Sequence, residues 1–148
     1  MLDTTVYVDA RKSARLPPAL AARIASADVL HSAVALSELT AALGLLDPGH
    51  PGTPKVRAAL EETLARIDPE RTVAPGADTW IEAAFLAGAL ARSQGLARDD
   101  RRKLLNDALI FLGAGEAGAI LVSRNRKDMD LLMRFRPDVR VLLYDRME

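Results

Sequence analysis

Four acidic residues stand where a cation or a charged substrate could be held: Asp3, Glu38, Asp107 and Asp128. Glu38 has Val34, Ala35, Ala41 and Ala42 about one helical turn away, which puts its carboxylate on an apolar face. Such a group is costly to bury unless it is paired or bound to a metal; the plainer alternative is a solvated face filled with alanine. Asp107 has Leu104, Ile110 and Phe111 as helical neighbours, but Lys103 precedes it by one turn. A surface Lys–Asp pair worth about 0.3 kcal/mol is therefore the competing reading. Asp3 lies in or beside a strand that should be central and has no local cation; its alternative is a terminal side chain in solvent. Asp128 and Asp130 open a helix, where Asp commonly caps. Asp130 reads as such a cap, and Asp128 fits a cap or a site residue equally.

Carboxylates brought together raise one another's pKa and resist joint ionisation unless a divalent cation compensates. Mg²⁺ and Mn²⁺ prefer oxygen ligands and complete their shells with phosphate oxygens and water. Phosphodiester hydrolysis is the chemistry that needs this arrangement, because metal ions can activate water, clamp the scissile phosphate and stabilise the leaving oxygen. Other schemes are poorly served. There is no cysteine, so disulfides, thiolate zinc sites and Cys nucleophiles are excluded. Neither a Gly-x-Ser-x-Gly elbow nor a phosphate-binding Gly-Lys-Ser/Thr loop occurs. His50 sits in a Pro/Gly loop and reads as a turn residue; His31, in a short strand before a helix, reads as structural.

The elements that must position these acids alternate. Met1 to Val8, rich in β-branched residues, predicts a first strand or a strand running into a turn. Pro17-Pro18 opens a short helix to about Ala27, Val29 to Ser32 predicts a second strand, and Val34 to Leu46 a helix closed by the breaker run Asp47-Pro-Gly-His-Pro-Gly-Thr-Pro. Helices are expected over Lys55–Ile67, Asp78–Ser93 with Gly95 as C-terminal cap, and Arg98–Leu112. A short strand is expected at Arg71–Pro75. Glycines at 113, 115 and 118 then lead into a buried strand, Ala119 to Ser123, a polar turn, a helix over Lys127–Phe135 and a last buried strand, Val139 to Tyr144. Strands separated by helices predict a three-layer α/β/α sandwich around a mostly parallel sheet, and open sheets of this kind place ligands at strand C-termini. Length predicts one domain over residues 1–148.

Twenty basic and twenty acidic residues cancel, so no global field draws the chain to nucleic acid or to an anionic membrane. Sixteen of the cations are Arg, a ratio that codon bias explains as well as phosphate binding does. Hydrophobic residues make up 49% of the chain, enough for a real core. The longest apolar stretch, Ala83 to Ala91, is far short of the roughly 20 residues of a membrane span. With no basic-then-apolar leader pattern, a cytoplasmic location is expected.

Four stretches resemble the successive motifs of PIN-domain proteins, in particular the toxin subunits of VapBC-type toxin–antitoxin pairs. They are Leu2-Asp3-Thr4-Thr5-Val6-Tyr7, Ser32-Ala-Val-Ala-Leu-Ser-Glu38-Leu, Leu105-Asn106-Asp107-Ala-Leu-Ile and Leu121-Val-Ser-Arg-Asn125-Arg-Lys-Asp128. The resemblance covers nearly the whole chain in order, and Ser32–Glu38 with Asn106–Asp107 is its most specific part. It implies an endoribonuclease dependent on Mg²⁺ or Mn²⁺, a homodimer, and a small VapB-like antitoxin that blocks the site. Asp3, Glu38 and Asp107 match the metal-binding acids. The fourth acidic position is divided, since Asn125 stands where many relatives have Asp while Asp128 matches the acid of a following Asp–aromatic pair, with Met129 in place of the aromatic. Thr5 stands where many relatives have Asn and is expected to orient Asp3 or a metal water. Ser32, Asn106, Ser123 and Asn125 are expected to support the acids, and Arg124, Arg126 and Lys127 to meet substrate phosphates, unless these three form only a solvated loop and helix start. Two alternatives compete with an RNA-cleaving toxin: a haloacid-dehalogenase-like phosphatase with Asp3 as nucleophile, for which Thr5 stands where a second acid is usual, and a non-catalytic domain whose acids receive a basic peptide.

Overall fold

A run of short parallel strand segments frames the molecule, a computed structural model that describes residues 1–11, 16–95 and 98–147. Strands β1 (His31–Ser32) and β2 (Thr72–Val73) pair in parallel, as do β3 (Leu121–Ser123) and β4 (Val141–Leu143). Leu2 joins the two pairs, bridging in parallel to His31 on one side and to Val122 on the other. The lateral order is therefore β2, β1, Leu2, β3, β4. The chain steps from Leu2 outward to β2, then resumes on the opposite side of Leu2 with β3. That reversal is a topological switch point, the place where open α/β sheets bind ligands beyond their strand C-termini.

Helices connect the strands: α1 (Thr4–Arg11), α2 (Pro18–Ala25), α3 (Ala33–Gly44), α4 (Thr53–Ala65), α5 (Ala77–Gln94), α6 (Arg98–Glu116) and α7 (Arg126–Phe135), with a single 3₁₀ turn at Pro69–Arg71 before β2. The result is the expected α/β/α sandwich. Pro18 opens α2, Ser32 caps α3, and Gly95 closes α5 with φ +61°, a left-handed conformation that costs glycine no Cβ clash. Among the described residues no helix is long and apolar enough to cross a membrane.

Three local expectations are corrected. The N-terminal strand shrinks to the single residue Leu2 with its two bridges, and Thr4 to Arg11 is helical despite its β-branched residues. Val6 N–H donates to Asp3 O at 3.0 Å and Thr4 N–H to Asp3 Oδ1 at 2.7 Å, so Asp3 satisfies the helix start. Burying Val6 and Tyr7, at about 1.5–3 kcal/mol each, outweighs propensity differences of a few tenths. Secondly, α6 does not stop at Leu112 but runs through Gly113 and Gly115 to Glu116. A Cβ on Gly115 would lie 2.7 Å from Val139 Cγ2, so that glycine lets α6 approach the segment leading to β4 instead of breaking the helix. Gly118, with φ +63°, makes the turn into β3. Thirdly, β3 is fully buried as expected, but β4 lies at the sheet edge and is only half-buried.

The centre of the core is α6. Ala108, Leu109, Ile110, Phe111 and Ala114 are each wholly inaccessible, together with Ala35, Ala83, Leu121, Met129 and Leu132 from the surrounding elements. Because α6 packs along α5 and also touches α3, α7 and β1, the helix that carries Asp107 is held from several sides.

Candidate active site

The two strand ends at the switch point begin the site. Asp3 follows Leu2 directly, and Ser123 ends β3. Asp3 is 2% exposed. Its Oδ2 accepts hydrogen bonds from Ser123 Oγ at 2.6 Å and Thr5 Oγ1 at 2.8 Å, while Oδ1 takes the Thr4 amide. Thr5, which departs from the motif's Asn, spends its hydroxyl on Asp3. Ser123 serves twice, since its Oγ also accepts from the Asn125 amide at 3.0 Å.

Glu38 arrives from the middle of α3. Thr4 Oγ1 donates to its Oε2, and Asn106 Nδ2 to its Oε1 at 2.9 Å. It is half-buried, with Ala41 and Ala42 on the outward side exposed to solvent. The apolar setting read from the alanines is thus partly a solvated face; what holds the carboxylate is a pair of neutral donors from α1 and α6. Thr4 was not foreseen as a partner. Its signal was its place directly after Asp3, at a helix start that reads as a strand in sequence.

Asp107 comes from α6 and is 6% exposed. Burial, then the nearby charge of Asp3, then that of Asp128, push its carboxyl up to about 8, against the weaker opposing pull of Lys103. Asn125 Nδ2 bridges Asp107 Oδ2 at 3.1 Å and Asp128 Oδ2 at 2.9 Å. Lys103 does not form the local pair with Asp107 considered from sequence; its Nζ lies 3.9 Å from Asp128 Oδ2. Asn125 is also the N-cap of α7. Asp130, expected to cap that helix, is instead an exposed residue within it.

These groups surround one open cleft of about 500 Å³, lined by Asp3, Thr4, Thr5, Glu38 and Asp107 together with Lys103 and the turn residues Arg124, Asn125, Arg126 and Lys127. Asp128 stands behind Asn125 and does not line the cleft. Ser32 is not drawn into the cluster: it is buried, and its Oγ accepts from the Ala35 amide at 3.4 Å as the cap of α3. The two histidines keep clear of the cluster as expected. His31 Nδ1 lies 2.6 Å from Tyr7 OH, and His50 Nδ1 accepts from the Gly52 amide within its loop.

The donor set consists of hard carboxylate and hydroxyl oxygens, the ligands that Mg²⁺ and Mn²⁺ prefer. Among the described residues, no three carboxylate or imidazole groups converge closely enough to grip one cation. Asp3 and Glu38 have instead turned to neutral donors, and the negative charge gathered at Asp107 has no adequate counter-charge.

No protein-family model matches the chain, and no curated protein matches it in sequence. Solved structures do match, and they define its fold class. VapBC2 from Rickettsia felis bound to a DNA fragment from their promoter aligns with TM-score 0.63 and 19% identity over 98% of this chain and 98% of that one. VapBC-1 from nontypeable Haemophilus influenzae gives 0.63 and 18% over 97% and 96%, and FitAcB from Neisseria gonorrhoeae 0.61 and 19% over 95% and 94%. At these identities the likeness is one of fold, across nearly the full length of both partners.

Proposed function

We propose that the chain is the toxin of a VapBC-type pair, an endoribonuclease that works with Mg²⁺ or Mn²⁺. One observation carries the reading: Asp3, Glu38 and Asp107, from three separate elements, line one cleft at the switch point of the sheet together with the basic turn Arg124–Lys127. The fold shared with the VapBC and FitAB structures supports the toxin part of the reading, and the hard-oxygen donors support the metal.

Asp3, Glu38 and Asp107 would hold the cation once their side chains turn toward a common point, since as placed no three described acids converge on one, with Asp128 acting through Asn125. When bound there, a divalent cation supplies a water of lowered pKa and neutralises charge on the scissile phosphate. The chain's own residues do the rest. Ser123 and Thr5 fix the rotamer of Asp3, Thr4 and Asn106 fix Glu38, and Asn125 bridges Asp107 and Asp128. Arg126 and Lys127, both exposed, and Arg124 offer the RNA backbone a local positive rim despite zero net charge. The phosphatase alternative has less support, because Thr5 stands two residues after Asp3 where that chemistry usually places a second acid, and its hydroxyl is spent on Asp3.

The same reading includes a small antitoxin that blocks the cleft, and a homodimer. Trp80, Ile81 and Phe85 stand exposed along α5, an apolar strip of a kind that protein partners cover. Purified alone, the chain should cleave single-stranded RNA with Mg²⁺ or Mn²⁺, stop with EDTA, and be inhibited by the product of an adjacent short reading frame. Tight binding to that product without any RNA cleavage or cation binding would favour the non-catalytic alternative.

A further inference from the structure

Asp9 lies outside the acid cluster, yet it is 1% exposed, more deeply buried than Asp107. It sits one helical turn beyond Thr5 on α1. Its Oδ2 accepts two hydrogen bonds, from Arg124 Nε at 2.7 Å and from Tyr144 OH at 3.0 Å. Both donors come from just past the C-terminal ends of neighbouring strands, Arg124 after β3 and Tyr144 after β4, and Tyr144 N–H itself donates to Ser123 O at 3.2 Å. The Arg124 backbone is fixed as well, because its amide donates at 3.1 Å to Oγ1 of Thr5, whose hydroxyl in turn donates to Asp3.

Arg124 is thus tied at its main chain and at Nε, while its side chain keeps 34% of its surface and lines the cleft. Among the described residues neither of its Nη groups makes a hydrogen bond. A guanidinium held by one edge has already lost the rotamer freedom that an exposed arginine gives up on binding, and its remaining donors form a fork suited to a phosphate. Arg126 and Lys127 have no comparable side-chain anchorage: they are exposed, and among the described residues the Arg126 guanidinium makes only a 3.9 Å approach to the exposed Asp145.

We propose that Asp9 and Tyr144 are positioning residues that hold Arg124 as the fixed phosphate-binding arm of the cleft, taking a backbone phosphate of the RNA strand. The inference rests on the ribonuclease reading but assigns residues which that reading does not use. The competing account is a buried ion pair that only fastens α1 to the strand ends.

The two accounts differ in sign. Asp9→Asn removes a negative charge from beneath the cleft, so electrostatics alone would tighten RNA binding. Loss of positioning weakens it. Steady-state cleavage of a fluorescein-labelled single-stranded oligoribonucleotide in Mn²⁺, by the full chain at several salt concentrations, separates them. Asp9→Asn should raise KM about tenfold with kcat within twofold of wild type. Tyr144→Phe, which changes no charge, should raise KM about threefold. Arg124→Ala should flatten the dependence of log(kcat/KM) on log salt by about 0.7, the value for one phosphate contact to a single strand, and Arg124→Lys should not restore KM, because a lysine cannot bond Asp9 and the phosphate as a fork. Circular dichroism melts identify any variant that fails to fold, and if Asp9→Asn is one of them Tyr144→Phe decides. A wild-type enzyme that cleaves, with Asp9→Asn and Tyr144→Phe showing KM at or below the wild-type value, overturns this inference alone. Absence of cleavage by the wild type overturns it together with the ribonuclease reading.

Discussion

Replacing Asp107 by Asn should make the cation-free protein more stable at pH 8, although it removes a residue from the centre of the proposed site. In the unfolded chain the Asp107 carboxyl loses its proton near 3.8; in the fold it holds the proton up to about 8. Between those values the folded state binds more protons than the unfolded one, so stability falls as pH rises through the window. The penalty is absent below pH 4 and complete above pH 8. A displacement of this size corresponds to about 6 kcal/mol at roughly 1.4 kcal/mol per pH unit. Water entry and side-chain relaxation at an effective dielectric near 20 reduce it to about 2–3 kcal/mol. For a chain of 148 residues that is a rise in melting temperature of about 6–9 °C. The assay is a series of thermal melts in EDTA from pH 4.5 to 8.5, wild type beside Asp107→Asn. The two curves should converge at the acid end and separate with the variant on top at the basic end. Adding Mn²⁺ should raise the wild type toward the variant, because a bound cation removes the repulsion that the substitution removes. A difference that is constant across pH, or a variant less stable than wild type at pH 8, would refute the reasoning.

Two further substitutions test the frame around the site. Gly115→Ala should cost about 1–3 kcal/mol in urea unfolding, because the new methyl meets Val139 Cγ2 at 2.7 Å and overpacking outweighs the helix propensity of Ala; Val139→Ala in the same chain should recover most of it, and a neutral Gly115→Ala would show that the approach of α6 to Val139 is not tight. Asn125→Ala removes the cap of α7 and the donor shared by Asp107 and Asp128. It should lower stability by about 1 kcal/mol and cleavage by roughly 10- to 100-fold, with unchanged cleavage rates counting against a role for Asn125 in holding the acids.

Much of this arrangement was legible in the sequence because it depends on local chemistry. Pro18, Gly95 and the Pro/Gly run after Leu46 mark element ends through backbone geometry that no packing partner needs to supply. Three of the acids could be picked out one at a time, since apolar neighbours or the lack of a local cation already made Glu38, Asp107 and Asp3 conspicuous. What misled was tertiary override. Thr4 to Val8 has the composition of a strand, but Asp3 caps it and the core takes Val6 and Tyr7 on a helical face. The glycines at 113 and 115 look like a break, yet α6 runs through both, and Gly115 acts as clearance for Val139. Asp9 was passed over because the expected strand ended at Val8, and its partners are 115 and 135 residues away in sequence. A helical reading of the same stretch places Asp9 one turn after Thr5, on the side that meets the strand ends. Tyr144, the last residue of an expected strand, gave no sign of its hydroxyl's partner.

The central claim, that Asp3, Glu38 and Asp107 together make a cation-dependent ribonuclease, is tested most directly by single-turnover cleavage of a labelled RNA. The wild type would be compared with Asp3→Asn, Glu38→Gln and Asp107→Asn, in Mg²⁺, Mn²⁺ and EDTA. The account predicts cleavage by the wild type with either cation, none in EDTA, and a fall in each variant greater than the roughly 10- to 100-fold that loss of an outer-sphere partner produces. Cleavage that survives EDTA, or that proceeds at the wild-type rate in all three variants, would contradict it.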